Sequence, residues 1–207
     1  MLYTLYFYIK EYVGQVSVPE KKLLLVMSDS HIHERADWFP QEFIDIFKRR
    51  KYDVAVHAGD LVDYDVLEFV KSLAKEVYIV QGNMDYLSDL PEEAVFDVFG
   101  LRVGVVHGDQ VRPRGNIHAL TAIAKSLGAS ILISGHTHAP FVTVHEGVLH
   151  VNPGSVTGVW GGGGGSLTPS FMELEISSTG EVTITVYELK QGRVTTSIQR
   201  LALYSTG

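Results

Sequence analysis

The chain has 207 residues, of which 45% are hydrophobic and 20% charged, a composition typical of a soluble globular protein with one domain. It contains no cysteine, which excludes disulfides and thiolate metal sites, so any metal must bind nitrogen and oxygen ligands. The formal net charge of −7, without runs of Lys or Arg, argues against stable binding to nucleic acid. A cytoplasmic location fits this composition.

The first 20 residues are expected to form an extension that precedes a single domain over residues 21–207. Their Tyr-rich apolar run is too short to span a bilayer, and no cleavage site of the A-x-A type follows it. We interpret the run as an edge strand or an oligomer contact, which would allow a homo-oligomer. Contact with a membrane surface is the alternative, although no membrane partner is expected for the domain.

From residue 21 onward, apolar runs alternate with amphipathic stretches. The pattern predicts buried strands over residues 22–27, 54–57 and 77–80, with helices over residues 38–50 and 64–74 between them. This β-α-β-α-β order implies a parallel sheet with right-handed crossovers.

The second half of the chain is predicted to be mostly antiparallel. We predict a hairpin over residues 95–99 and 102–107, a helix over 117–127, a strand over 131–134 and a second hairpin over 141–145 and 148–151. Strands over residues 171–176, 182–188 and 194–201 extend the domain at its C-terminal side. Together the two halves indicate an α/β protein with two sheets packed face to face and helices outside.

Polar residues of metal-ligand type follow nearly every strand in residues 22–152. They are Asp29 and His31, Asp60, Asn83 and Asp85, His107 and Asp109, His136 and His138, and Asn152. Ligands bind outside the carboxyl ends of strands in open α/β sheets, so these side chains are expected to converge on one edge. Each motif alone could be a helix cap, a turn or a solvated pair, but their ordered occurrence at strand ends favours a functional site.

These motifs resemble those of the calcineurin-like metallophosphoesterases, and most of all their small microbial phosphodiesterases. The matching residues are DSH at 29–31, GD at 59–60, GN at 82–83, HG at 107–108, GHTH at 135–138 and NPGS at 152–155. The resemblance covers about residues 22–188. It implies a four-layer sandwich of two mixed β-sheets flanked by α-helices.

The resemblance also implies two divalent metal ions. One would bind Asp29, His31, Asp60 and His138, and the other would bind Asp60, Asn83, His107 and His136. This mixture of imidazole and oxygen ligands suits transition metals, with Mn as the expected ion and Ni, Fe, Co or Zn as alternatives. Asn83 and His107 are assigned to catalysis as well. The implied reaction is hydrolysis of a small phosphodiester or nucleotide by a metal-bridging hydroxide.

The chain departs from the family pattern at Met84, where many relatives have a His that is the presumed general acid. The departure favours substrates with good leaving groups, or a proton donor from elsewhere. His33 and His118 are candidate donors, although the usual exposure of histidine favours a surface or supporting role for each. Met84, Asp85, Asp109 and Asn152 are expected to support the ligands or to contact substrate.

Residues 156–170 contain no Lys or Arg, whereas relatives often carry a basic residue there. The glycine run at residues 161–165 could be a surface loop or a mobile rim over the site. The main alternative function is a protein-binding scaffold, because the retromer subunit that shares this fold resembles the chain but has a weakened metal site. A phosphoprotein phosphatase and a DNA nuclease are weaker interpretations.

Overall fold

The structure, a computed structural model, describes residues 18–86 and 89–203, which form two β-sheets and three helices. The predictions for residues 1–17 lie outside the described part. In chain order the elements are β1 (Lys21–Met27), α1 (Gln41–Arg49), β2 (Tyr52–His57), α2 (Tyr64–Leu73), β3 (Ala74–Ile79), β4 (Glu93–Val98), β5 (Leu101–Val106), α3 (Ile117–Ser126), β6 (Ile131–Ser134), β7 (Phe141–His145), β8 (Val148–Asn152), β9 (Ser170–Ser177), β10 (Glu181–Lys190) and β11 (Arg193–Ala202).

The first sheet has the strand order β11-β10-β9-β1-β2-β3. Strands β1, β2 and β3 are parallel, as the two helical crossovers predict, and β9 to β11 add an antiparallel half. The second sheet has the order β4-β5-β6-β8-β7. Both sheets are therefore mixed, which confirms the predicted fold class.

The prediction of a mostly antiparallel second half is wrong for the centre of the second sheet. Strands β5, β6 and β8 are parallel to one another, and the antiparallel partners β4 and β7 lie at the two edges. Helix α3 crosses from β5 to β6, and the hairpin places β8 rather than β7 beside β6. As a result, the carboxyl ends of β5, β6 and β8 share one edge of the sheet.

The core lies between the sheets and beneath the helices. Buried aliphatic residues of both sheets face one another, including Leu24, Val54, Val105 and Ile133. Helices α1 and α2 cover the outer face of the first sheet, and α3 covers that of the second, which produces the four layers. Full burial of each large apolar side chain contributes about 1.5–3 kcal/mol, so the sandwich forms a firm base for the loops at its edge.

Helix α1 begins at Gln41, three residues later than its hydrophobic spacing predicts. Pro40 occupies the N-cap position, where its missing N–H leaves no hydrogen bond unmade. Phe39 is buried against Phe47 and Phe69 from the segment before the helix. An extended residue can therefore mimic the spacing of a helical face. Among the described residues, no helix is both long and apolar enough to cross a membrane.

Candidate metal centre

Side chains from both sheets converge at the carboxyl ends of their parallel strands. Asp29 and His31 follow β1, Asp60 follows β2 and His138 follows β6. All four are buried, and their ligand atoms lie within 4.8 Å of one another. We call these four residues the closed half of the centre.

Contacts within the closed half join carboxylates to imidazoles. The Nε2 atom of His31 lies 3.3 Å from Asp60 Oδ2 and 3.3 Å from His138 Nε2. His138 Nε2 also lies 3.2 Å from Asp29 Oδ1. Unprotonated nitrogens and carboxylate oxygens repel at such distances unless a proton or a cation lies between them.

Three further residues, Asn83, His107 and His136, form the open half. His107 Nε2 lies 3.4 Å from Asp60 Oδ2, and His136 Nδ1 lies 3.3 Å from His107 Nε2. Asn83 follows β3 and its side chain is exposed. Asp60 Oδ2 thus contacts one imidazole of each half, the position that a shared carboxylate ligand would occupy.

Backbone carbonyls set the orientation of two imidazoles. His107 Nδ1 lies 2.8 Å from Ala58 O, and His138 Nδ1 lies 2.8 Å from Val159 O. A carbonyl only accepts a hydrogen bond, so each Nδ1 carries a proton and donates it. In the neutral ring the lone pair is then on Nε2, which faces the centre, as in histidines that bind metals.

The loops that carry these residues have strained backbone. Five of the candidate ligands have positive φ, namely Asp29 (52°), His31 (43°), Asp60 (58°), His136 (67°) and His138 (55°). Such conformations cost about 1–3 kcal/mol each and cluster at functional sites. Two backbone hydrogen bonds of 3.0 Å, from Asp29 N to Gly59 O and from His31 N to Asp60 O, join the first two of these loops.

Two glycines allow the loops to pack directly on the carboxylates. A Cβ at Gly82 would lie 2.2 Å from Asp60 Oδ1, and one at Gly135 would lie 2.0 Å from Ser28 Oγ and 3.0 Å from Asp29 Oδ2. In the space kept free, the N–H of Met84 donates to Asp60 Oδ1 at 2.8 Å, and the N–H of His136 donates to Asp29 Oδ2 at 3.0 Å. The glycines of the GN and GHTH motifs are therefore needed for packing at the centre.

Electrostatics at the centre favour bound positive charge. Burial opposes ionisation of Asp29 and Asp60, but hydrogen bonds from the surrounding histidines outweigh it and lower both pKa values. Burial would lower the pKa of His107, yet its bond to Asp60 and the charge of Asp29 raise that pKa to about 9. Burial, with the positive charges of His107 and Arg114, lowers the pKa of His136 to about 4.

Two buried carboxylates are thus held ionised beside imidazoles, one of which is protonated in the absence of metal. This donor set fits divalent transition metals, because such ions prefer mixed nitrogen and oxygen ligands and can replace the proton. The Nδ1 atom of His31 is buried, with no hydrogen-bond partner in the part of the chain that the structure describes.

Asp85 and Asn152 hold the loops rather than entering the centre. Asp85 Oδ2 accepts hydrogen bonds of 2.8 Å from the N–H groups of Asp60 and Gly82, and its Oδ1 accepts one of 2.7 Å from Val62 N. Asn152 Nδ2 donates to Gly135 O at 2.7 Å, next to His136. Each side chain therefore fixes the backbone beside candidate ligands.

Two clefts adjoin the open half and share Asn83 and Asp109. The front cleft, about 390 Å³, is lined by Asn83, Asp109, Arg112, Arg114 and His136. The side cleft, about 420 Å³, is lined by Gln81, Gly82, Asn83, Asp85, Glu92, Asp109 and Gln110. The front cleft carries two cations and one carboxylate, whereas the side cleft carries three carboxylates, so an anion is favoured in the front cleft.

The two histidines considered as proton donors have other partners. His33 is exposed and lies 2.7 Å from Asp65, whose hydrogen bond raises the pKa of His33. His118 lies against His145, with 4.6 Å between the ring centroids, beside the β7–β8 hairpin. Met84 is half-buried next to Asp60, and its backbone rather than its side chain makes the contact described above.

Two arginines near the centre were missed by sequence reasoning. Arg114 donates to Gly161 O at 2.7 Å, and Arg35 donates to Trp160 O at 2.9 Å. The segment without basic residues therefore receives positive charge from two other loops. No spacing signal links residues 35, 114 and 160, because their contact arises only in the folded chain.

The sequence matches a family of known proteins. The family model for the calcineurin-like phosphoesterase superfamily domain matches residues 23–178. A probable metallophosphoesterase of Methanocaldococcus jannaschii is 42% identical over 135 residues, which cover 65% of this chain and 68% of that protein.

Solved structures of Vps29 have a similar fold. Vacuolar Protein Sorting 29 from Cryptosporidium parvum matches with a TM-score of 0.84 and 28% identity, over 88% of this chain and 98% of that one. Wild-type Vps29 complexed with Zn²⁺ from Entamoeba histolytica matches with a TM-score of 0.79 and 33% identity, over 88% of this chain and 99% of that one. The sequence match and the arrangement of Asp, Asn and His residues at the strand ends lead to one conclusion: the chain belongs to the calcineurin-like phosphoesterase superfamily.

Proposed function

We propose that the protein is a binuclear metal-dependent phosphoesterase that hydrolyses phosphodiester bonds in small substrates or nucleotides. The observation that carries this proposal is Asp60, whose Oδ2 contacts His31 in the closed half and His107 in the open half. A carboxylate shared between two imidazole groups suits a bridging ligand for two cations.

Under this proposal one ion binds Asp29, His31, Asp60 and His138, and the other binds Asp60, Asn83, His107 and His136. Two divalent ions would lower the pKa of a water molecule, which makes it a nucleophile at neutral pH, and would neutralise charge on the phosphate. Mn is the ion we expect, with Ni, Fe, Co or Zn as alternatives. The similar Vps29 structure complexed with Zn²⁺ supports divalent-metal binding by this fold.

The chain's own residues supply binding and orientation. Backbone bonds to Ala58 O and Val159 O hold His107 and His138 with Nε2 toward the centre, so little reorganisation is needed on binding. The exposed amide of Asn83 borders both clefts, within reach of a phosphate oxygen in the front cleft. There it would donate a hydrogen bond as negative charge develops.

The front cleft favours an anionic phosphate ester as the substrate. Arg112 and Arg114 line it together with His136, so an anionic ester meets positive charge on the side of the open half. Arg112 already donates to the carbonyls of Asp109 and Val111, whereas Arg114 has one described bond, to Gly161 O. A guanidinium has five N–H donors, so Arg114 can bind a phosphate oxygen while it keeps that bond.

The decisive experiment is hydrolysis of a substrate panel by the metal-free protein reloaded with each ion in turn. The panel contains bis(p-nitrophenyl) phosphate, p-nitrophenyl phosphate, alkyl phosphomonoesters and cyclic nucleotides. We expect metal-dependent turnover that is highest for the activated diester. Absence of turnover with every ion, in protein shown to have bound two ions, would refute the proposal.

A protein-binding scaffold is the second candidate, favoured by the extent of the match to Vps29 structures. The two functions differ in what they require of the centre. If Asp60 is replaced, a scaffold keeps its function although hydrolysis is lost. An enzyme loses its function with the hydrolysis. Metal titration with an activity assay therefore separates them.

A further inference from the structure

A second group of metal-ligand side chains lies between helix α3 and the β7–β8 hairpin. It consists of His118, His145 and Glu146, whose ligand atoms lie within 4.8 Å of one another. The two rings meet edge to face, with centroids 4.6 Å apart. We propose that these three residues bind a divalent transition-metal ion, separate from the centre at the strand ends.

Thr121 fixes the protonation of His145 in a form suited to metal binding. The Thr121 hydroxyl lies 2.7 Å from Ile117 O, which only accepts, so the single hydroxyl proton is donated there. His145 Nδ1 lies 2.9 Å from the same hydroxyl oxygen and must therefore donate its own proton to it. In the neutral ring the lone pair of His145 is then on Nε2, the nitrogen that Thr121 does not use.

The buried neighbour His150 supports the same assignment. Its Nε2 lies 2.9 Å from the Thr121 oxygen, which is again limited to accepting. The hydroxyl thus gives one hydrogen bond and accepts two, which is its full capacity. A metal-binding His that donates its other N–H to a fixed acceptor is the usual arrangement around metal sites, because the donated bond sets ring orientation and basicity.

The ligand set indicates which ions would bind. Two imidazoles and one carboxylate with a position left for water suit Zn²⁺ or a similar borderline ion, and they disfavour Mg²⁺ and Ca²⁺. Glu146 also pairs with Lys125 through Oε2, which leaves Oε1 for the ion. Lys125 thereby places a competing positive charge beside the site.

The position of the site makes it independent of phosphoester hydrolysis. In the β7–β8 register His145 pairs with Val148, at the first residue of β8, whereas Asn152 ends that strand beside the loop of the main centre. The hairpin turn is therefore at the opposite end of the second sheet. An ion there would join α3 to the edge strand β7 and so stabilise this part of the fold.

Zn²⁺ binding by the whole protein tests the proposal. Equilibrium dialysis of the wild type should find one more Zn²⁺ equivalent than His118→Ala, with hydrolysis unchanged between the two. Asp97→Ala is the control, since Asp97 is an exposed carboxylate on β4 that lies in none of the candidate metal groups among the described residues. Equal numbers of Zn²⁺ equivalents with equal affinities in wild type and His118→Ala would overturn the site.

Two further variants test the role of the Thr121 contact. His145→Asn keeps a donor near Thr121 but lacks the Nε2 ligand, so it should lose the same equivalent as His118→Ala. Thr121→Val removes the acceptor and should weaken Zn²⁺ binding at this site by about 10–100-fold. Lys125→Met should tighten binding, because it removes the competing charge. If His145→Asn bound Zn²⁺ with the same affinity and stoichiometry as the wild type, the proposal would be overturned, even if Thr121→Val failed to fold.

Discussion

The closed half and the open half of the centre each contain two histidines but differ in access. In the closed half, all four side chains are buried, and their ligand atoms lie within 4.8 Å of one another. In the open half, Asn83 is exposed and His136 borders the front cleft. We infer that the fold fixes the ligand geometry of the closed half, while the open half is where substrates are bound and selected.

The largest expected effect comes from Asp60, the residue of the closed half whose carboxylate also contacts the open half. Asp60→Ala should lower both metal content and phosphodiester turnover by more than about 100-fold, since loss of a merely supporting residue costs about 10–100-fold. Metal analysis and the rate on bis(p-nitrophenyl) phosphate measure the two losses. Asp97→Ala, which changes an exposed carboxylate on β4, is the control and should leave both unchanged. Retention of full metal content and turnover in Asp60→Ala would show the ligand scheme to be wrong.

Asp85 tests whether the two halves depend on a shared support. Its carboxylate accepts three backbone N–H groups, from Asp60, Val62 and Gly82. Asp85→Asn has the same shape but turns an N–H₂ toward donors that need an acceptor, so the loops of Asp60 and Asn83 should shift. We expect a loss of about 10–100-fold in metal affinity or kcat/KM, with folding checked by circular dichroism. If metal affinity and kcat/KM were the same in variant and wild type, the loops of Asp60 and Asn83 would keep their positions without this carboxylate.

The sequence predicts the elements of the fold more completely than it predicts the site. Strands 131–134 and 141–145 have the predicted bounds, because their short length and the Gly or Pro beside them resolve the ambiguity between helix and strand that apolar runs leave. The parallel pairing of β6 with β8 was missed, since a hairpin in sequence does not reveal which of its strands joins the sheet.

For the site, motif order indicates which residues meet but not how they are held. The residues proposed as ligands do converge, yet the left-handed backbone of His31 and His138 cannot be predicted from the sequence, because only a small fraction of histidines adopt it. The contacts of Arg35 and Arg114 with residues 160 and 161 depend on three distant loops that meet only in the folded protein. The roles of the ligands in metal binding and catalysis stay predictions.

Arg114 lines the front cleft beside the open half, so its replacement tests whether substrate binds on that side. Arg114 and Arg35 both donate to carbonyls of the glycine-rich segment, but only Arg114 also lines the front cleft. A charge-assisted hydrogen bond contributes about 1.5–3 kcal/mol, so Arg114→Ala should raise KM for a phosphodiester by about tenfold. Arg35→Ala is the matched control and should change KM little. Steady-state kinetics on bis(p-nitrophenyl) phosphate give KM for the two variants. An equal rise in KM for both would show that the effect comes from the glycine-rich segment rather than from direct substrate binding.

The smallest expected effect concerns Met84, which adjoins the open half next to Asn83. A thioether cannot protonate a leaving group, and a placed general acid contributes about 10²–10⁴-fold to turnover when the leaving group is poor. We therefore expect the wild type to be slow on alkyl esters and faster on nitrophenyl esters, which leave without a proton. Met84→His should recover only part of that contribution, because the contact of residue 84 with Asp60 is made by its backbone and does not orient a side chain.

The measurement is the dependence of kcat/KM on the pKa of the leaving group across a series of phosphodiesters. Met84→His should flatten this dependence by raising rates on poor leaving groups, while rates on activated esters stay the same. Met84→Gln is the control, since it has a similar length and adds polarity without a group that titrates near neutral pH. Suppose that Met84→His and Met84→Gln show the same dependence of kcat/KM on leaving-group pKa as the wild type, with metal content intact. A side chain at position 84 then does not protonate the leaving group. The proton would then have to come from another group that borders the front cleft, and Asp109 would be the next residue to test there.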